Sequence, residues 1–583
     1  MRIRTTKTKN GRLFYVIKTY YDSKGIEHSM TVEKLGNEND IRARYGRDPD
    51  EWAKEHVRQL NEREKEENQE ITLSFSPNKQ LTRNYRYEYK IGYLFPQKIY
   101  HELKLDLICK AISRRHSFKY DLNEILSRLI YGRIIEPDSK RATCRFAETL
   151  IEQPSFKDHQ VYRALSVLAE ESDFIQEQLY KNSFALGKRH TGVIYYDCTN
   201  FFFEIEQSDE DGLRAYGKSK ENRPLPLVEM GMFIDHDGIP LAFSIHPGNT
   251  NEQVTLRPLE KKLLSEFGMS KFVVCTDAGL ASMANKRFNN MQDRSYITTQ
   301  SLKKLKKEYQ DWALSPEGWS LSGARRGRGR KRFYDLRELD LVKDYDKTFY
   351  KECLVDRGDF EETLIVTFSL KYQQYQRNIR QGQIDRAQRA IDSGNAKRGK
   401  KNQQDFRRFI QKTSVTEDGE VTEVVQCTLN TERIAEEEMY DGFYAVTHNL
   451  EDAPEDIIRV NHQRWQIEEC FRIMKSEFEA RPAYVSLEDH IEAHFLTCYL
   501  SLVIYRYMEK KLGGSFTCSQ IISTLQDMSV REVLGEGYLP NYMRTDITDA
   551  LHDVFGFRTD FNIIPSKQMK KIVKESKKRI RHA

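Results

Sequence analysis

GVIYYDCTNFFFEI, residues 192–205, is a β-branched and aromatic run that reads as a buried strand, with one carboxylate, Asp197, in its middle. The elements that follow decide what kind of sheet it enters. EMGMFIDHDGIPLAFSIHPGN (229–249) reads as two strands joined at Asp237-Gly238, a strong hairpin signal. VTLRPLEKKLLSEFG (254–268) has helical period and ends on a C-capping Gly268. KFVVCTDAGLAS (271–282) is a second buried strand carrying an acid, Asp277; a short helix around 283–291 and the strand SYITTQSLK (295–303) come next. The order strand, strand, strand, helix, strand, helix, strand is that of an RNase H-like α/β core.

In that order the first and fourth strands are central neighbours, which brings Asp197 and Asp277 out side by side at one edge. Each alone reads equally well as a cap or turn residue after a strand. Together they are like charges that repel unless a cation neutralises them. Carboxylates around hard divalent ions make a Mg²⁺ site suited to phosphodiester chemistry, with two metals roughly 3.5–4 Å apart.

A third acid comes from NHQRWQIEECFRIMKSEF (461–478). At about 100° per residue, Arg464, Glu468 and Lys475 share one narrow sector of a helix, beside an apolar stripe of Ile467, Cys470, Phe471, Met474 and Phe478. Glu469 points elsewhere. Arg464 and Glu468 also form an ordinary i,i+4 pair, so the helix by itself reads as a docked amphipathic segment.

The remaining sequence sets the frame. The chain has 583 residues, 39% hydrophobic and 31% charged, with a net charge of +5. This describes a polar-surfaced globular protein of several domains, its basic residues clustered at 325–332 and 567–581. The nine cysteines never form a C-x-x-C pair, which excludes a zinc ribbon and a dithiol redox motif; Cys198 and Cys275 sit in apolar runs as reduced, buried thiols. MRIRTTKTKNGRLFY has no apolar signal region, and FLTCYLSLVIY (495–505) is too short to span a bilayer, so a soluble intracellular protein without a membrane partner is expected. Six segments follow from the patterning. Residues 1–70 form a β-hairpin unit around the turn Asp22-Ser23-Lys24-Gly25 and a charged helix. Residues 71–190 are helical, their basic faces fitting either DNA docking or a solvated bundle. The core runs through 191–300 and 441–510, split by a β-rich insertion at 301–440, and 511–583 is a helical region with a basic tail.

Asp197, Asp277 and Glu468 resemble the DDE triad of bacterial insertion-sequence transposases. R464-x3-E468-x6-K475 is similar to the Y-x2-R-x3-E-x6-K signature of the insertion-sequence-four superfamily. GNTNE (248–252), RWQIEECFRIMKSEF (464–478), ARP (480–482), IEAH (491–494) and YGRIIEPDSKRAT (131–143) resemble its sixteen-thirty-four branch. The signature's tyrosine position is Asn461 here, a departure that bears on DNA positioning rather than on the metal triad.

The resemblance implies a transposase that cuts at insertion-sequence ends and joins the 3′-hydroxyls to target DNA, using Mg²⁺, with Mn²⁺ as a substitute. Asp197, Asp277 and Glu468 would be catalytic metal ligands, with Arg464, Lys475 and Asn461 on DNA. The partners implied are double-stranded DNA with terminal inverted repeats, target DNA and a second copy of the chain in a homodimer, in the bacterial cytoplasm at the nucleoid. The insertion would hold transposon-end DNA; Arg325, Arg326, Arg328, Arg330, Lys331 and Arg332 in GARRGRGRKRF (323–333) suit phosphate contact. Two other functions fit the same residues: a structure-selective nuclease with the same metal site, and a retired transposase kept as a DNA-binding regulator.

Overall fold

The computed structural model describes residues 1–9, 11–21, 27–67, 71, 73, 76–78, 80–210, 212–323, 332–395, 405–415 and 421–580. They form a mixed α/β structure that separates into two compact units, Met1–Tyr85 with Val533–Gly537, and Arg86–Glu532 with Tyr538–Ala583. In the first unit, strands Arg2–Thr8, Gly11–Tyr21 and Glu27–Asn37 pair antiparallel and are followed by helices Glu38–Tyr45 and Pro49–Glu67. The Asn37 side chain caps the first helix by accepting from the amides of Asn39 and Asp40. Phe14, Ile41 and Ala53 make this unit's small core. The turn Asp22–Gly25 lies outside the described residues.

A nine-stranded sheet organises the second unit. Its strands in chain order are β1 (Val193–Phe202), β2 (Leu227–Asp235), β3 (Pro240–Pro247), β4 (Phe272–Thr276), β5 (Arg294–Thr299), β6 (Ser320–Leu321), β7 (Phe349–Asp356), β8 (Glu361–Phe368) and β9 (Phe443–His448). Their spatial order is β6-β7-β8-β9-β5-β4-β1-β2-β3. Helix α1 (Glu252–Ser265) lies between β3 and β4, and α2 (Met283–Phe288) between β4 and β5, so the element order read from residues 192–303 is the one observed. β1 and β4 are parallel neighbours, as are β4 and β5; the other pairs are antiparallel. The strands β7 and β8, from the segment expected to be an insertion, extend this same sheet, and β9 enters between β5 and β8. Among the described residues of 301–440, the strands Ile410–Val415 and Val421–Leu429 form a separate two-stranded sheet.

Both faces of the sheet are covered, which is why β1 is apolar in both phases of its alternation. Ile194, Tyr196 and Cys198 pack toward α1 with Leu256, Leu259 and Leu263. Tyr195 and Phe201 face the large core, which includes α3 (Glu488–Lys511). That 24-residue helix is buried from Ile491 to Met508 except at Glu492, and carries the FLTCYLSLVIY run. No helix among the described residues is long and apolar enough to cross a membrane. Helix Leu122–Ile135, one of the two whose basic face fitted DNA docking, is itself interior: Arg128 and Arg133 are buried and donate to backbone carbonyls, including Glu152 and Phe478.

The GNTNE motif has a structural reason. Asn251 caps α1 by accepting from the Gln253 amide. Gly248 lies where two chains close on it: a Cβ there would stand 2.1 Å from the Leu227 carbonyl oxygen and 2.5 Å from that of Ala215. Backbone atoms cannot retreat as a flexible side chain can. Gly248→Ala is therefore expected to destabilise the protein by roughly 1–3 kcal/mol, read as a lower urea midpoint for the variant.

Candidate active site

Register decides where the first two acids stand. β1 and β4 run parallel with Tyr195 opposite Cys275. Two residues further along each strand, Asp197 and Asp277 come level on the same face, because side chains repeat every second residue. Asp277 sits just past the end of β4, where its Oδ1 accepts from the amides of Gly279 (2.9 Å) and Leu280 (3.1 Å). Asp197 accepts from the Cys198 amide at 2.8 Å. Burial, and then the charge of Asp277, push the Asp197 carboxyl up to about 7, against the pull of Lys220 and Arg464.

The third acid arrives on a helix that differs from the one expected. Instead of one continuous helix over 461–478, there are two helices, Pro454–His462 and Trp465–Arg472, followed by a π-helical turn over Ile473–Glu477. The π turn closes through the Phe478 amide bonding the Ile473 carbonyl, five residues back. It adds a residue to the turn, so Lys475 does not follow the 100° spacing from Glu468. The apolar stripe is nonetheless docked: Ile467, Cys470, Met474 and Phe478 are fully buried.

Arg464 is the hub. It pairs with Glu468 at 3.3 Å, and although its burial opposes the charge, Tyr444, Asp197, Asp277 and Glu468 together raise its pKa. Glu468 itself is exposed, and Glu469 is taken by Arg472 at 2.6 Å, away from this group. The structure thus sets Asp197 and Asp277 level on neighbouring strands and links Glu468 to them through Arg464, which pairs with Glu468 and feels the charge of both aspartates. Lys475 lies over the Phe201 ring and 3.4 Å from Glu221. Burial and then Lys220 bring its ammonium down to about 8, with Glu229 and Asp197 opposing. Asn461 is buried, and its amide donates to the Tyr444 hydroxyl at 3.0 Å.

Of the basic run, Arg325, Arg326, Arg328, Arg330 and Lys331 lie outside the described residues. Arg332 stacks its guanidinium over Tyr334. Trp319, one of two tryptophans upstream of that run, is fully buried in the core around Phe349 and Phe368.

Two charged residues beside the acids were not singled out from the sequence. Lys220 bridges the Cys198 carbonyl (2.5 Å) and Glu252 (2.9 Å), and the charges of Asp197 and Glu252 raise its pKa against burial. Glu229 is buried on β2 with an unpartnered Oε1; burial pushes its carboxyl up to about 7, Lys220 opposing and Glu252 and Asp197 adding to the rise. A lone acid inside the apolar run LVEMGMFI was the available signal for Glu229.

The remaining motifs meet behind this site. Arg133 donates to the carbonyls of Phe478 (3.0 Å) and Glu479 (3.2 Å). His494 bonds the Ala480 carbonyl through Nε2 at 2.9 Å, which leaves Nδ1 to accept from Lys140 at 3.1 Å. YGRIIEPDSKRAT, ARP and IEAH are thus one buried clamp on the end of the π turn.

The family model described as "Transposase DDE domain" matches residues 201–504, more than half of the chain. The chain belongs to the DDE-domain transposases. The matched span contains Asp277 and Glu468 and begins four residues after Asp197. No curated protein matches this transposase. Among solved structures it is similar to one described as a cryo-EM structure of a piggyBac transposase synaptic complex with hairpin DNA, over 75% of this chain and 78% of that one, with 8% identity and a TM-score of 0.34.

The clamp carries a pH signature. Burial, and then Arg133, bring Lys140 down to about 7 in the folded transposase, against ~10.4 in an unfolded chain. Between those values the unfolded chain binds more protons, so stability rises with pH; below about 7 the full penalty applies. Urea midpoints measured from pH 7 to about 9.5 should rise less for Lys140→Met than for the wild type.

Proposed function

We propose that this transposase is a metal-dependent polynucleotidyl transferase that cuts DNA at insertion-sequence ends and joins the freed 3′-hydroxyls to target DNA. Asp197, Asp277 and Glu468 are its metal-holding carboxylates, on an RNase H-like core whose β-rich insertion extends the same sheet. The observation that carries this reading is the level register of Asp197 and Asp277, which puts two carboxylates on one face of neighbouring strands. Burial first, and then the charge of Asp277, raise the Asp197 carboxyl there. An all-oxygen donor set fits a hard divalent ion such as Mg²⁺, and Mn²⁺ in its place. Glu468, exposed at the rim, has the rotamer freedom to close toward the aspartates.

When bound there, a divalent ion activates the attacking oxygen and offsets charge on the phosphate. The chain's own residues do the rest. Arg464 and Lys475 grip phosphate oxygens by charge-assisted hydrogen bonds. The stripe from Ile467 to Phe478 and the Arg133–Lys140–His494 clamp hold those cations in place. Two copies acting on two DNA ends accord with the resemblance.

The test uses a duplex from either flank of the coding region, a supercoiled target plasmid and Mg²⁺. Asp197→Asn, Asp277→Asn and Glu468→Gln are each expected to slow strand cleavage roughly a thousandfold or more while leaving the gel-shift affinity for the flank duplex unchanged. Glu469→Gln should cut at close to the wild-type rate. Joining of pre-cut flank ends to the plasmid separates a transferase from a nuclease, and near-normal cutting by any of the three variants refutes the triad.

A further inference from the structure

The row of side chains that begins with Asp197 and Asp277 continues across the sheet. β4 and β5 are parallel with Cys275 opposite Ile297, so the position level with Asp277 on β5 is Thr299. Thr299 in turn pairs with Val446 on the antiparallel β9. Tyr444, two residues from Val446 toward the same edge, lies on the same face as the two aspartates. The phenol is anchored there: its oxygen accepts from Nδ2 of Asn461 at 3.0 Å and lies 2.7 Å from Oγ1 of Thr299.

This arrangement gives the hydroxyl a direction. Asn461 can only donate to it, and the Thr299 hydroxyl is able to donate as well. When Thr299 donates, both phenolic lone pairs are taken and the phenolic proton is available to a third group. Arg464 stands next to this group: its amide donates to the carbonyl of Asn461, the residue whose side chain holds the phenol, at 3.2 Å, and its guanidinium pairs with Glu468. An O–H and a guanidinium standing together beside a pair of acids form a grip for an oxyanion. Nothing in the sequence pointed to Tyr444. Asn461, where the signature has a tyrosine, is the residue that holds this phenol from another strand.

We propose that Tyr444 is a phosphate-contacting residue of the transposase, its phenolic proton and the Arg464 guanidinium together taking a non-bridging oxygen of the DNA phosphate that is cut. This rests on the reading of Asp197, Asp277 and Glu468 as the metal-holding site. In this role Tyr444 donates one hydrogen bond. The partners that fix it, Thr299 and Asn461, are internal to the sheet and its docked helix, so the contact is built in before DNA arrives.

The test compares full-length wild type, Tyr444→Phe and Asp197→Asn on the same flank duplex in Mn²⁺. The cut phosphodiester is used first unmodified and then as each single phosphorothioate diastereomer, since sulfur accepts a hydrogen bond poorly. Tyr444→Phe is expected to slow cutting of the unmodified duplex about 10- to 100-fold. For one diastereomer only, that loss should shrink toward unity, which a merely structural role for the hydroxyl does not produce. Wild-type cutting by Tyr444→Phe, or an equal loss on all three substrates, overturns the role of Tyr444. If Asp197→Asn is inert in the same run, the metal-site reading survives that failure; if Asp197→Asn cuts like the wild type, that reading falls and the phosphate contact with it.

Discussion

Two carboxylates brought level on adjacent parallel strands cannot be left to themselves, because like charges at that spacing repel and burial removes the water that would screen them. The pairing of Tyr195 with Cys275 imposes this on Asp197 and Asp277, and much of the surrounding structure answers it. Arg464 is charge-balanced by both aspartates and Glu468. Lys220 answers Asp197 from the loop between β1 and β2. Even so, Asp197's carboxyl stays raised to about 7, because burial and then the charge of Asp277 outweigh these cations.

A cation such as Arg464 helps only while its helix is held against the sheet. The apolar stripe of that helix is fully buried at Ile467, Cys470, Met474 and Phe478. The π turn at its end directs Lys475 inward over Phe201. Beyond the turn, the Arg133 guanidinium and the Lys140–His494 pair occupy the backbone carbonyls of Phe478, Glu479 and Ala480. Buried polar groups of this kind are stable only when each finds a partner, so the clamp tolerates little displacement. Motifs scattered over more than 350 residues of sequence therefore serve one mechanical purpose, fixing the helix that carries the site's cations.

Much of this was legible in the chain itself. Strand and helix order from 192 to 303 follows from period-2 and period-3.6 apolar patterns interrupted by Asp237-Gly238 and Gly268, and that order makes β1 and β4 neighbours. The single-helix reading of 461–478 failed for a physical reason: a π turn depends on how the end of a helix is gripped, and Arg133 and His494 grip it from far away in sequence. The segment 301–440 was read as an interruption because its β-type stretches are separated from the core by long polar runs; in space β7 and β8 continue the core sheet through β9. Glu229 was visible as an acid in an apolar strand, yet nothing local ties it to Asp197. Lys220, in a polar loop, gave no signal at all.

The sequence alone determined which residues alternate into a two-sided buried sheet, which of its buried strands carry an acid, and that Glu468 rather than Glu469 borders the apolar stripe of its helix. These are properties of neighbours one to four residues apart, where backbone periodicity dictates direction. Only the tertiary structure decided that Arg464 is shared among three acids, that Lys475 reaches the site through a π turn, and that Tyr444 stands on the fourth strand of the row with its hydroxyl held by Thr299 and Asn461. Those relations depend on strand register and helix docking, and the energies that set them come from side chains up to hundreds of residues apart.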